Sequence, residues 1–307
     1  MNTRRLIWAL AAALGASALS GCTTSDPLGN ESQSAEAAMA TSSDTIVVGS
    51  QDYYSNEIIA ELYAQSLERA GYSVDRQFRI GQREVYLPEI ESGQIDLFPE
   101  YSGNLLQYWE PNAEARTSEE VYQELAKATP SGLQVLAQSK ASDQDSYTVT
   151  QDFADKWDLT TIGDLTNVTD PLVLGGNSEL ETRPYGPEGL LSAYGVEVGF
   201  TPIEDSGGPL TLKALSDGSI QLANIYTADP AIAKNGLVVL SDPEGLFLAS
   251  HVVPVASDQL DPGAAIVIDN LSASLTPEDL IAMNARSVEE ELPAQTIAKE
   301  WLAEQGS

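Results

Sequence analysis

Tyrosines standing in polar loops just after apolar runs are the residues of this chain best suited to chemistry. That chemistry is recognition, because a ring delivered to a sheet edge can wall a ligand. Tyr101 follows Gly-Gln-Ile-Asp-Leu-Phe-Pro-Glu at 93–100. Ile95, Leu97 and Phe98 form a run too short for a helix, and Pro99 lacks a backbone donor, so a buried strand is expected to end at Pro99. Tyr53 and Tyr54 occupy the polar set 50–54, Tyr147 follows the polar patch 142–146, and Tyr226 follows the strand-like stretch 220–225. Taken singly, each tyrosine reads better as a half-buried packing residue with its hydroxyl at the surface. Ser50, Gln51, Thr227 and Asp229 are polar contacts or strand-end caps. Arg183 carries a planar fork that suits a carboxylate, and it would equally make a surface ion pair with Glu179 or Glu181.

Catalysis finds little support. His251 is the only histidine and lies in an apolar run, which favours a structural role. Cys22 is the only cysteine, so zinc sites and Cys-His nucleophiles are excluded, and no metal or cofactor is expected. Carboxylates such as Glu89 and Glu91, or Glu289, Glu290 and Glu291, read as solvated helix faces. Gly207-Gly208-Pro209 lacks the lysine and spacing of a phosphate loop. With 46 acidic against 15 basic residues the net charge is -31, which argues against nucleic acid or an anionic membrane surface as partner.

The elements that must carry these loops alternate. Residues 45–49 read as a buried strand. A helix follows, capped by Ser55, with Ile58, Ile59, Leu62, Tyr63 and Leu67 at helical spacing and Gly71 as its stop. A strand at 73–80, a helix at 83–92, the strand before Tyr101 and a helix from Gly103 continue the alternation. A helix at 118–128 and a strand at 133–136 close the first series. From Gln151 the pattern restarts, with strands at 172–174, 220–225 and 237–240 separated by helices at 188–194 and 207–215. Such alternation predicts α/β architecture with mainly parallel sheets covered on both faces. The run 251–255 and helices near 277–286 and 294–304 are too few for a third core and are expected to return to the first lobe. The expected division is lobe 1 at 45–147 and 247–307, lobe 2 at 148–246, and a cleft between them as the default ligand site.

The first residues read as a targeting segment. Arg4 and Arg5 precede the apolar run 6–19, which is too short to span a bilayer, and Leu19-Ser20-Gly21-Cys22 closes it with small residues. This junction resembles the lipobox of bacterial lipoproteins, which implies a signal peptide at 1–21 and a lipid on Cys22. The chain is then expected at the extracytoplasmic face of a cell membrane, held by lipid alone. Residues 22–44, rich in Ser, Ala, Thr and acidic side chains, read as a flexible tether.

Five stretches in order carry a wider resemblance: Val-Gly-Ser-Gln-Asp-Tyr-Tyr-Ser-Asn-Glu (48–57), Gly-Gln-Ile-Asp-Leu-Phe-Pro-Glu-Tyr-Ser-Gly (93–103), Arg-Pro-Tyr-Gly (183–186), Gly-Gly-Pro-Leu (207–210) and Tyr-Thr-Ala-Asp-Pro (226–230). The chain resembles the osmoprotectant (glycine betaine, choline, carnitine) substrate-binding lipoproteins of ABC importers over residues 45–305. The resemblance implies a two-lobed type II periplasmic-binding-protein fold with a hinge between lobes. It also implies a monomer that holds a quaternary-ammonium ligand among aromatic rings and delivers it to an ABC permease with its ATPase. By position it implies that Tyr101 and Tyr147 belong to the ring cage, that Tyr226 is a strand-end aromatic, and that Arg183 holds a ligand carboxylate. A trimethylammonium group makes no ordinary hydrogen bond, so three or four ring faces are needed, at about 0.5–2 kcal/mol each. Tyr53 or Tyr54 would complete the set, with Gln51 and Thr227 as polar neighbours. Two other readings are a receptor for a polar amino acid or other small zwitterion, and a lipid-anchored hydrolase.

Overall fold

The computed structural model describes residues 45–306. The expected signal peptide, Cys22 and the tether lie outside them. Two five-stranded sheets organise the described chain. The first has the order β2-β1-β3-β10-β4, formed by β1 (Ile46–Gly49), β2 (Val74–Gln77), β3 (Leu97–Tyr101), β4 (Leu133–Val135) and β10 (Val252–Ser257). The second has the order β7-β6-β8-β5-β9, formed by β5 (Asp145–Thr150), β6 (Val173–Gly176), β7 (Gly199–Pro202), β8 (Leu222–Tyr226) and β9 (Leu237–Val239).

Four strands of each sheet run one way and the fifth is reversed. In the first sheet the reversed strand is β10, antiparallel to β3 and β4; in the second it is β5, antiparallel to β8 and β9. The reversed strands are the ones on which the chain enters a sheet from the other lobe. β10 starts opposite the end of β3, with Val252 facing Tyr101, and β5 starts opposite the end of β8, with Asp145 facing Tyr226. Each crossing therefore occurs at the sheet edge where the parallel strands finish, which is the edge where ligands sit in open α/β sheets. The crossing segments also bond to each other, Ser139 N to Val252 O and Val252 N to Ala141 O, each at 2.9 Å.

Alternation along β3 divides the first core. Leu97 packs with α1 (Tyr54–Arg69), α9 (Pro262–Ser274), α10 (Pro277–Glu289) and α11 (Ala294–Glu304) on one face. Phe98 packs with α2 (Arg83–Glu91), α3 (Ser102–Trp109) and α4 (Ser118–Ala128) on the other. The helices after β10 thus return to the first sheet. The second sheet is covered by α5 (Gln151–Trp157) and α6 (Pro187–Tyr194) on one side and by α7 (Pro209–Ser216) and α8 (Ala231–Lys234) on the other.

β3 does not stop at Pro99. It runs on to Tyr101, because Pro99 stands opposite Pro254 of β10 and its pairing with β1 has already ended at Leu97. Two residues without N–H groups can face each other only at a non-hydrogen-bonded position of an antiparallel ladder, so no bond is lost. Among the described residues no helix is long and apolar enough to cross a membrane.

Candidate functional site

The site is assembled from strand ends. After β1 the chain turns through Ser50 to Tyr53, pinned by Ser50 N to Gln77 O (3.2 Å) and Ile80 N to Ser50 O (3.1 Å). Asn56, in the first turn of α1, accepts from Gln51 N at 2.9 Å and donates to Pro99 O at 2.8 Å. One buried amide thereby ties the loop bearing Tyr53 to the strand bearing Tyr101.

Beneath Tyr101 lies a buried ion pair that sequence reasoning did not identify. Arg83 donates to Glu100 through Nε (2.7 Å) and Nη2 (2.9 Å), and the same carboxylate accepts from Tyr86 Oη (2.6 Å) and Tyr101 N (2.8 Å). So many donors on one carboxylate hold it in place and fix the backbone from which Tyr101 projects.

Rings from the two sheets meet here. Tyr53 lies 4.6 Å from Tyr226 and 4.9 Å from Tyr54, centroid to centroid. Tyr101 is buried, its hydroxyl has no hydrogen-bond partner, and burial first, then the Asp143 carboxylate, push that hydroxyl's pKa well up. Both members of the Tyr53/Tyr54 alternative therefore reach the cluster.

The hydroxyls of Tyr53 and Tyr54 end on carboxylates from the crossing segment and the second lobe. Tyr53 donates to Asp143 Oδ2 at 2.9 Å and Tyr54 to Asp229 Oδ2 at 3.1 Å. Asp143 also accepts from Ala228 N, and Asp229 from Ala231 N. Burial pushes the Asp143 carboxyl up to about 6, against the pull of its Ala228 and Tyr53 bonds. Burial raises Asp229 as well. Asp145 adds a third carboxylate, since it faces Tyr226 across the ladder and accepts from Asn104 Nδ2 at 2.5 Å.

Gln51 is buried against this site with Nε2 unpartnered. Thr227 is exposed and does a different job. Its N donates to Gln144 O and its Oγ1 accepts from Gln144 N, both at 2.9 Å, stapling the lead-in to β5 against the end of β8. Arg183 is nearly buried and donates to Tyr185 Oη at 3.2 Å and to both Glu84 oxygens at 3.3 Å. Its partner is Glu84 of the other lobe, not Glu179 or Glu181.

Tyr147 does not stand among the rings. It follows Asp145 by two residues on the same face of β5, so it sits one pleat further from the edge, paired with Asn224. There its ring packs edge-on against Phe247 at 5.0 Å and its hydroxyl donates to Tyr185 O, inside the core of the second lobe. His251 is structural: its N donates to Ser102 Oγ and its Nδ1 lies 3.1 Å from Lys140 O.

Asn104, Asp143, Asp145 and Tyr185 are the site-forming residues that pattern reading missed. Residues 142–146 read only as a polar patch ahead of Tyr147. Only the strand-to-crossing register shows that its aspartates turn toward the rings.

Two lobes joined by paired crossings, with a ring cluster at the facing strand ends, define the class of two-lobed substrate-binding proteins. Solved structures of that class superpose on the chain. A glycine betaine/carnitine/choline ABC transporter protein matches at TM-score 0.68 and 19% identity, over 85% of this chain and 98% of that one. The lactococcal OpuAC complexed with glycine betaine in its closed-liganded conformation matches at TM-score 0.63 and 16% identity, over 86% of this chain and 97% of that one. The model of the substrate-binding domain of the ABC-type glycine betaine transport system matches residues 44–304, and the chain belongs to that family. The glycine betaine-binding protein YehZ of Escherichia coli K12 is 25% identical over 85% of this chain and 90% of its own length. The carnitine transport binding protein OpuCC of Listeria monocytogenes is 23% identical over 85% and 87%. This is a family of transport substrate-binding proteins, not an enzyme class.

Proposed function

We propose that the chain is an extracytoplasmic receptor for a quaternary-ammonium osmolyte of the glycine betaine class. It takes the methylated cation among Tyr53, Tyr54, Tyr101 and Tyr226, with Gln51 and Arg183 at the margin, and passes it to an ABC permease with its ATPase. Thr227 holds the strand ends in register and Tyr147 backs the second lobe. Lipid on Cys22 would anchor it, as a monomer, to the membrane.

The observation that carries this reading is the contact of Tyr53, borne by the first lobe, with Tyr226, borne by the second. Electron-rich faces from two movable bodies can enclose a cation that offers water no hydrogen bond. At 4.6 Å the two rings touch, so a trimethylammonium group enters only when they part by a few ångströms. Because Tyr53 is tied to β1 and α1, and Tyr226 to β8, they part by hinge motion of the lobes. Buried Asp143 and Asp145 would also suit a primary ammonium, which favours a polar amino acid as the second reading.

Calorimetry of the purified full chain against glycine betaine, proline betaine, choline, carnitine, ectoine and the polar amino acids tests both. A quaternary amine should bind, and Tyr53→Ala or Tyr226→Ala should each weaken it about three- to thirtyfold, the worth of one desolvated ring. Binding of amino acids alone, or unchanged affinity in both variants, would remove the ring cage.

A further inference from the structure

We infer that this site selects a monovalent cationic alcohol, choline in chemical class, over the zwitterionic betaines. The inference rests on the reading above and narrows its substrate class.

The charges around the rings do not balance. Asp143, Asp145 and Asp229 are all buried, and among the described residues none of the three stands in an ion pair. The guanidinium groups of Arg83 and Arg183 each have a carboxylate partner already. Arg83 is paired with Glu100 through its Nε–Nη2 edge, and Arg183 with Glu84 across the cleft through Nη2. Three buried carboxylates without a cationic partner favour a ligand of net positive charge, and a ligand carboxylate would meet like charge at low dielectric.

A second, independent feature points to a donor on that ligand. Asp145 is only 4% exposed, yet its Oδ1 has no hydrogen-bond partner, while Oδ2 is held by Asn104. Antiparallel register sets Asp145 directly opposite Tyr226, so the free oxygen shares the face on which the rings cluster. An orphaned buried carboxylate oxygen calls for a proton donor. A quaternary ammonium cannot supply one, but a hydroxyl two carbons away can. The cation then lies on the ring faces while its hydroxyl donates to Asp145 Oδ1.

Glu84 adds to the selection by taking Nη2 of Arg183, while Nη1 is given to Tyr185 Oη, so the guanidinium that a betaine carboxylate would need is already shared. That carboxylate must displace Glu84 before it is held.

The test is calorimetry of the full chain with choline and glycine betaine, in the wild type and in Asp145→Asn and Glu84→Gln. Wild type should bind choline about tenfold or more tighter than glycine betaine, the worth of one charge-assisted hydrogen bond. Asp145→Asn should collapse that ratio toward unity. Glu84→Gln, a change at a 40% exposed side chain that leaves the fold intact, should shift the ratio toward glycine betaine by freeing Arg183. Glycine betaine bound as tightly as choline by the wild type, or a ratio indifferent to both substitutions, would overturn the inference and leave the quaternary-amine reading standing. Failure of every quaternary amine to bind would overturn both.

Discussion

Asp143 is where one side chain links stability to the ring cluster. Its carboxyl titrates near 6 in the folded protein, against 3.8 ordinarily, so between those values the folded chain holds a proton that the unfolded chain has released. Stability therefore falls as pH rises through that window. The charged form carries a penalty on the order of 3 kcal/mol that is complete above about pH 6 and absent below about pH 4. Urea midpoints at pH 4 and pH 7 should show the wild type losing stability relative to Asp143→Asn by up to that amount. A parallel pH dependence in the two proteins would refute it.

Glu100 presents the opposite case, a buried carboxylate fully supplied with donors. Truncating Arg83 to Met strands that charge, and chemical denaturation should report a loss of about 3–5 kcal/mol. A loss under 1 kcal/mol would mean the pair is not desolvated as the structure has it.

At the scale of elements, the start of α3 is pressed against the returning crossing segment. A Cβ on Gly103 would lie 2.6 Å from Leu248 O and 2.9 Å from Ala249 O, both backbone atoms that cannot swing aside. Gly103→Ala should cost about 1–3 kcal/mol of stability, and ligand affinity should fall with it because the same segment leads into β10. Unchanged denaturation would show that the crossing yields easily.

Local pattern predicted most elements because their periodicity is set by a buried face. It fails where that face is weak or where only the termini carry the signal. β7 is an edge strand, exposed along most of Gly199–Pro202, with no apolar alternation to betray it. α9 has its start signal in Asp261, which caps Gly263 N and Ala264 N, with Pro262 at the first helical position, a signal of termini and not of apolar spacing.

For the whole molecule, closure is the property that matters. Tyr54 to Asp229, Asn104 to Asp145, Asn284 to Ala228 O, Arg183 to Glu84 and Lys234 to Glu289 all bridge the lobes. The ion pairs are worth about 1 kcal/mol or less and the bonds to buried carboxylates about 1.5–3 kcal/mol, so a few suffice to bias an open–closed equilibrium. Removing two amides, Asn104→Ala with Asn284→Ala, should enlarge the radius of gyration of the ligand-free protein in solution scattering. An unaltered radius would place the closing energy elsewhere. The charge of -31 acts on the same scale. Added salt screens its self-repulsion, so Tm should rise from 50 mM to 1 M NaCl, and a flat or falling Tm would contradict this.

By itself the sequence determined the alternation of strands and helices, the two-lobed fold class and the family, whereas the lobe boundary drawn at residue 147 falls inside β5 (Asp145–Thr150) of the second sheet. What it determined follows from spacing within a dozen residues and from ordered motifs. Which rings meet, and over what charge, was decided only by tertiary structure. Tyr53 finds Asp143 across 90 residues and Tyr54 finds Asp229 across 175. Tyr147 is separated from the cluster by a single pleat of β5. No local spacing encodes such pairings, because they arise when two sheets built independently bring their strand ends face to face.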